Sequence, residues 1–309
     1  MKGGNGMSAV INQLAQMVIM IVIGYICAKV GLTGPEFNRH TSKVLTNVLL
    51  PATILKAMTG LGGDLTNGEL IYIILLFFVM MGIAGAVGIL LSRMLHIHPS
   101  ERGIVVGLVM YMNISFVGFP LVETYYSAQG MLYACLSCVP MNLLMFSVGV
   151  AGISGNSRDA ISLKQMLNIP LLSTLLGIII MALGLRLPTV VSGTISSVAN
   201  ATVPISMIIL GSSLAAIPTK SALGDVRIYI IAIVRLLVCP IATNLLLRLF
   251  VDNQTLIGAV TILASTPVAV LMTPLCVQYG KSDALPSKSI FISTVLSVFT
   301  MPAMIWLLL

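Results

Sequence analysis

The chain has 309 residues, of which 58% are apolar and 8% charged, with a net charge of +7 and a mean hydropathy of +1.07. Soluble domains carry roughly 25% charged residues, so this composition excludes a soluble fold and points to a bilayer, whose tails are as apolar as leucine. The basic residues fall between apolar runs, which excludes a nucleic-acid surface and makes them orientation signals.

Runs long enough to cross a membrane are predicted at 7–30, 41–60, 69–95, 102–125, 130–153, 168–186, 192–216, 226–250, 254–279 and 287–309. The first is too long for a signal-peptide core and reads as the first span. Breakers and charges mark the loops: Gly34-Pro35, Gly62-Gly63-Asp64, His98-Pro99-Ser100, Gly155-Asn156-Ser157, Leu187-Pro188 and Gly280-Lys281-Ser282. The expected fold class is an all-α membrane protein of about ten transmembrane helices. Odd-numbered loops and their flanks carry Lys29, Arg39, Lys43, Arg93, Arg102, Arg158, Lys164, Lys220, Arg227, Lys281 and Lys288. The opposite side has only Lys2, Lys56, Arg186 and Arg248. The positive-inside rule then puts the odd loops in the cytoplasm and both termini outside, in a multi-pass protein of the cell inner (plasma) membrane.

The two halves match at an offset of 153 residues: Gly24, Gly31, Leu32 and Pro35 recur as Gly177, Gly184, Leu185 and Pro188, and Asn47 and Pro51 as Asn200 and Pro204. Near that offset Pro120-Leu121 recurs as Pro274-Leu275. The expected units are a first five-helix repeat over 7–153, a short cytoplasmic linker over 154–167 and a second repeat over 168–309. An odd number of spans per repeat inverts the second against the first, the arrangement many secondary transporters use for alternating access.

Breakers interrupt corresponding spans. The fourth carries Gly118 and Pro120 after Asn113 and Ser115, and the ninth carries Pro267 and Pro274 beside Ser265 and Thr266. Proline removes an N–H and clashes with the preceding turn, and freed backbone groups must face protein or a wet cavity. Half-helix N-termini there suit a carboxylate. Candidate substrate contacts are therefore Asn113, Ser115, Asn142, Ser265, Thr266, Pro267, Asn47 and Asn200, with Asn able to donate and accept. The alternative for each Asn outside the broken spans is interhelical hydrogen bonding. Arg235 lies inside the eighth span, where it must face the interior, and is a possible charge partner for a substrate or for backbone carbonyls. Lys56, near the outer end of the second span, is expected to snorkel.

No cofactor is expected. Cys27, Cys135, Cys138, Cys239 and Cys276 lie in apolar runs and behave as small apolar residues. The Cys135/Cys138 spacing lacks a second pair or a histidine to complete a metal site. His40, His96 and His98 fall in loops or at span ends. With no Asp or Glu at mid-membrane, the coupling ion, H+ or Na+, stays open.

These residues resemble the auxin efflux carrier family, in its bacterial branch, over nearly the whole chain. The resemblance rests on Asn47-Val48-Leu49-Leu50-Pro51, on Asn113 through Gly118-Phe119-Pro120-Leu121, on Asn168-Ile169-Pro170 leading to Gly177, and on Ala201-Thr202-Val203-Pro204 leading to Leu210-Gly211. It implies the fold shared with bile-acid sodium symporters, with a scaffold of spans 1, 2, 6 and 7 and a moving domain of spans 3–5 and 8–10. It implies substrate binding where the fourth and ninth spans cross, Asn113 and Pro267 at the crossing and Asn142 on the fifth span. It also implies a homodimer through the scaffold, and small carboxylates such as malate, malonate or auxin-like acids as substrates. The competing readings are a sodium-coupled bile-acid or sterol carrier, a receptor or channel on the same scaffold, and an intramembrane enzyme, for which no mid-membrane acid pair or histidine is present.

Overall fold

A computed structural model describes residues 3–59, 66–155, 167–185, 187–215 and 224–309. Lys2, Gly62, Gly63, Asp64, Asn156, Ser157, Arg158, Lys164, Arg186 and Lys220 lie outside the described residues, as does most of the 154–167 linker. The first half comprises α1 (Gly3–Lys29), α2 (Pro35–Val44), α3 (Leu50–Thr59), α4 (Asn67–Met94), α5 (Pro99–Met110), α6 (Phe119–Leu136), α7 (Cys138–Leu144) and α8 (Val150–Ser154). The second comprises α9 (Ile169–Ala182), α10 (Thr189–Asn200), α11 (Thr202–Ala215), α12 (Val226–Ile233), α13 (Cys239–Phe250), α14 (Gln254–Ala264), α15 (Met272–Gln278) and α16 (Ala284–Leu308). Among the described residues the only strand-type pairing is one antiparallel bridge between Met112 and Val268.

Among the described residues five helical segments are long and apolar enough to cross a membrane: Gly68–Met94, Ile114–Ser154, Thr189–Ala215, Val226–Phe250 and Ala284–Leu308. Shorter apolar helices cover Ala15–Lys29, Ile169–Ala182 and Gln254–Ala264. Large apolar side chains on their outer faces are open, among them Ile19, Leu75, Leu176 and Phe299. Water would penalise such a surface and lipid does not. This is a multi-pass membrane protein.

Prolines explain most of the places where the long helices deform. Of the four π-helical turns among the described residues, Leu45–Leu49, Ile114–Gly118 and Val234–Val238 end two residues before a proline (Pro51, Pro120 and Pro240), while Met145–Gly149 has no proline close after it. A proline cannot donate to the carbonyl four residues back, and its ring collides with that carbonyl. Widening the preceding turn to i→i+5 bonding relieves the collision without ending the helix. Pro204 achieves the same end differently, since the helix stops at Asn200 and restarts at Thr202.

Glycines set the ends and the closest approaches. Gly31 and Gly184 both adopt left-handed backbone (φ 80° and 61°). After each, the next amide reaches back to close the helix end, Leu32 N–H to the Cys27 carbonyl at 2.9 Å and Leu185 N–H to the Ile180 carbonyl at 3.1 Å. The same glycine cap therefore stands at both positions of the 153-residue offset. A side chain on Gly211 would begin 1.9 Å from the Ile21 carbonyl oxygen, so α1 and α11 touch backbone to backbone.

Within α6 the chain folds back at Ser127, whose φ of 52° and ψ of −146° are not helical. A Cβ on Gly130 would lie 3.1 Å from Val122 Cγ1, whereas eight residues of straight helix span about 12 Å. The turn between the predicted fourth and fifth spans is thus a single-residue reversal.

Candidate functional site

The two broken segments meet. α5 ends at Met110, and the backbone runs extended through Tyr111 and Met112 before the π turn at Ile114. Opposite it, α14 ends at Ala264 and the chain stays non-helical until Met272. Asn113 N–H donates to the Pro267 carbonyl at 2.9 Å, and Ala269 N–H donates to the Tyr111 carbonyl at 3.0 Å. Two stretches that are not helical therefore satisfy each other, the condition for irregular backbone at membrane depth. Val268 N–H finds Ser293 Oγ on α16 at 3.2 Å. The Tyr111 hydroxyl donates to the Leu144 carbonyl at 2.9 Å, tying α7 to the same crossing.

Beside this crossing lies a cavity of about 180 Å³. Its polar wall is Thr46, Asn113, Ser115, Asn142 and Asn168; Met112, Met141, Met145, Phe116 and Phe146 supply the apolar wall. Asn113 caps the restarted helix, its Oδ1 accepting from Phe116 N–H at 3.4 Å. Its Nδ2 is buried and has no hydrogen-bond partner among the described residues. The other amides are engaged: Asn142 Nδ2 donates to the Cys138 carbonyl at 2.8 Å, and Asn142 Oδ1 accepts from Asn168 Nδ2. Asn168 in turn caps α9 through Leu171 N–H at 3.0 Å. One amide N–H₂ group, on a residue that lines the cavity, is thus left without a partner among the described residues while its neighbours hold each other in place.

Of the residues singled out in the sequence, Asn113, Ser115 and Asn142 come together in this wall. Ser265 and Thr266 instead turn back on their own helix end, donating to the Thr261 and Leu263 carbonyls, both at 2.8 Å. Pro267 contributes its carbonyl to the crossing. Gly118 packs where a Cβ would lie 2.6 Å from Leu263 Cδ2. Pro120 and Pro274 sit in the first turns of α6 and α15. Asn47 is exposed on the outer face, and its neighbour Thr46 takes the place at the cavity. Arg235 is fully buried and bonds the Ala264 carbonyl at 2.8 Å, outside the cavity lining.

Asn200 belongs to a second polar group. Lys56 Nζ bonds both Glu123 Oε1, at 3.2 Å, and Asn200 Oδ1, at 3.1 Å. Lys56 therefore has a carboxylate partner where snorkelling was expected. These three line a smaller cavity of about 100 Å³ that also includes Ser115. Ser115 thus borders both cavities.

The family model described as "Membrane transport protein" matches residues 9–161 and again 155–305. The chain belongs to the auxin efflux carrier family of membrane transport proteins. Two relatives from this family are archaeal. One, described as an uncharacterized transporter of Methanothermobacter thermautotrophicus, is 26% identical over 291 residues, covering 93% of this chain and 94% of its own. The other, also described as an uncharacterized transporter, from Methanocaldococcus jannaschii, is 26% identical over 305 residues, covering 95% and 97%. A double match of one family model is the counterpart of the internal repeat.

Thr46, Met141, Asn168 and the Lys56–Glu123 pair were missed as site residues in the sequence. Asn168 carried a signal, standing before Ile169-Pro170 as a helix cap. Glu123 did not, because its partner lies 67 residues away.

Proposed function

We propose that this chain is a secondary carrier of small organic anions, working by alternating access across ten spans arranged as two inverted repeats. The observation that carries this reading is the buried, unpartnered Asn113 Nδ2 in the wall of a cavity at the meeting of two broken helices. Transporters of inverted-repeat design bind substrate at such breaks, and half-helix N-termini there favour anionic groups. A carboxylate accepting from Asn113 Nδ2 would satisfy the free donor and rest its charge against the start of the Ile114–Gly118 turn and α6. At about 180 Å³ the cavity is smaller than the roughly 300–1,000 Å³ of drug-sized sites, which suits an acid of a few heavy atoms. The methionine and phenylalanine wall takes its carbon body, adaptable in shape.

The cavity reaches Asn168 and Pro170 at the start of α9, directly after the linker that the charge distribution assigns to the cytoplasm. We therefore read this conformation as inward-facing, with Lys56 and Glu123 closing the far side beyond Ser115, and a homodimer through spans 1, 2, 6 and 7 as the assembly. The test is uptake of labelled malonate, malate, lactate and indole-acetate into proteoliposomes, each with a sodium gradient, a proton gradient or none. Saturable uptake of at least one acid supports the reading. Absence of flux for every acid, with protein shown to be folded and inserted, removes it.

A further inference from the structure

Arg235 is the one charged side chain fully buried among the described residues. It projects from the Val234–Val238 π turn, and its Nη1 donates to the Ala264 carbonyl at 2.8 Å. Ala264 is the last residue of α14, the half-helix that ends at the crossing. A helix end leaves four carbonyls without intrahelical partners, carrying about half a negative charge. Each of the four is accounted for here. The Thr261 and Ile262 carbonyls accept from Ser265 N–H at 3.0 and 3.1 Å, and the Leu263 carbonyl accepts from Thr266 N–H at 3.1 Å. Arg235 takes the fourth.

In broken-helix transporters such carbonyl ends are where a coupling Na+ or H+ is held. We propose that Arg235 is a tethered cation, occupying through its guanidinium the place a diffusible coupling cation would take at the end of α14. No carbonyl at this helix end is left free, and no Asp or Glu among the described residues is buried to help hold a metal ion. Two guanidinium nitrogens, Nε and Nη2, find no oxygen partner among the described residues. The charge is therefore held by the helix end rather than by an acidic side chain. A fixed positive charge there makes the crossing independent of sodium in every state of the cycle. Arg235 acts through the backbone of the crossing and is a positioning residue.

The proposal rests on the carrier reading for its meaning in transport, but its test does not need flux. Thermal unfolding of the purified full-length chain is followed in Na+, K+, Li+ or choline chloride at equal ionic strength. Wild type and Arg235→Lys are expected to unfold at the same temperature in all four salts. Arg235→Ala is expected to unfold at a lower temperature and to recover part of the loss in millimolar guanidinium chloride, with no such recovery for the surface variant Arg227→Ala. Specific stabilisation of wild type by Na+ or Li+ would overturn the proposal, as would an Arg235→Ala protein that guanidinium helps no more than Arg227→Ala. Should Arg235→Ala not fold, the wild-type and Arg235→Lys series still decide it. Where an acid is transported, its uptake is expected to be unchanged when choline replaces sodium; sodium-dependent uptake counts against the tethered cation while leaving the carrier reading intact.

Discussion

Asn113 has two separable duties, and substitutions can divide them. Its Oδ1 caps the helix restart through a long 3.4 Å bond from Phe116 N–H, while its buried Nδ2 has no partner among the described residues. Removing an N-cap costs about 0.5–2 kcal/mol, and a bond this long belongs at the low end. Losing a hydrogen bond to a charged partner costs about 1.5–3 kcal/mol, which converts to roughly 10- to 150-fold in affinity. Asn113→Ala is therefore expected to raise the KM for the transported acid by about that factor while lowering the unfolding temperature only slightly. Asn113→Asp keeps the acceptor for Phe116 but replaces the donor with a carboxylate oxygen, so it should fold and yet lose uptake more completely. Initial rates in proteoliposomes give KM, and fluorescence-detected unfolding gives stability on the same preparations. A folded, inserted Asn113→Ala protein with an unchanged KM would refute the assignment and leave Asn113 as a helix cap alone.

Four further substitutions probe the frame of the fold. A Cβ on Gly103 would start 1.9 Å from the Gly152 carbonyl oxygen, whereas one on Gly152 would find its nearest contact at 3.3 Å, on Gly103 Cα. Gly103→Ala must therefore push α5 from α8 and cost about 1–3 kcal/mol, with Gly152→Ala clearly milder; equal unfolding temperatures for the two would contradict the packing. Ser127 holds a backbone region that is essentially glycine's, at a cost on the order of 1–3 kcal/mol. Ser127→Gly should accordingly raise the unfolding temperature, and a decrease would show that the serine side chain outweighs the strain. The Asp225 carboxyl, hydrogen-bonded by the Arg227 side chain and amide at the start of α12, is held below its ordinary value. Its folded value lies below the unfolded one of about 3.9, so its contribution is present above that pH and lost as pH falls through the folded value. Stability of Asp225→Asn measured down the acid range should fall less steeply than wild type; parallel curves would remove Asp225 from the acid response.

Physical range separates what the sequence discloses from what it hides. Composition settles the membrane class because it depends on no contact at all. The Gly31 and Gly184 caps and the proline-marked interruptions are local, governed by bonds within a turn or two, and each stands where residue type places it. Placement around a helix axis is harder. Asn47 looks equivalent to Asn200 in the repeat, yet one residue is about 100° of rotation, and Thr46 rather than Asn47 reaches the cavity. A π turn over Leu45–Leu49 changes that rotation again. Long-range pairs are hidden altogether: Arg235 meets Ala264 across 29 residues and Lys56 meets Asn200 across 144, and nothing in the local sequence of any of them specifies the partner.

Counterflow tests the alternating-access claim most directly. Proteoliposomes preloaded with an unlabelled acid that the chain transports would be diluted into a trace of the same acid in labelled form, with no ion gradient. A carrier that exposes its site to one side at a time returns loaded with label, so the label should rise transiently above its equilibrium level, and Asn113→Asp should abolish the rise. Label that climbs only to equilibrium, at a rate indifferent to the preloaded acid, would mean an open pathway and would contradict a carrier.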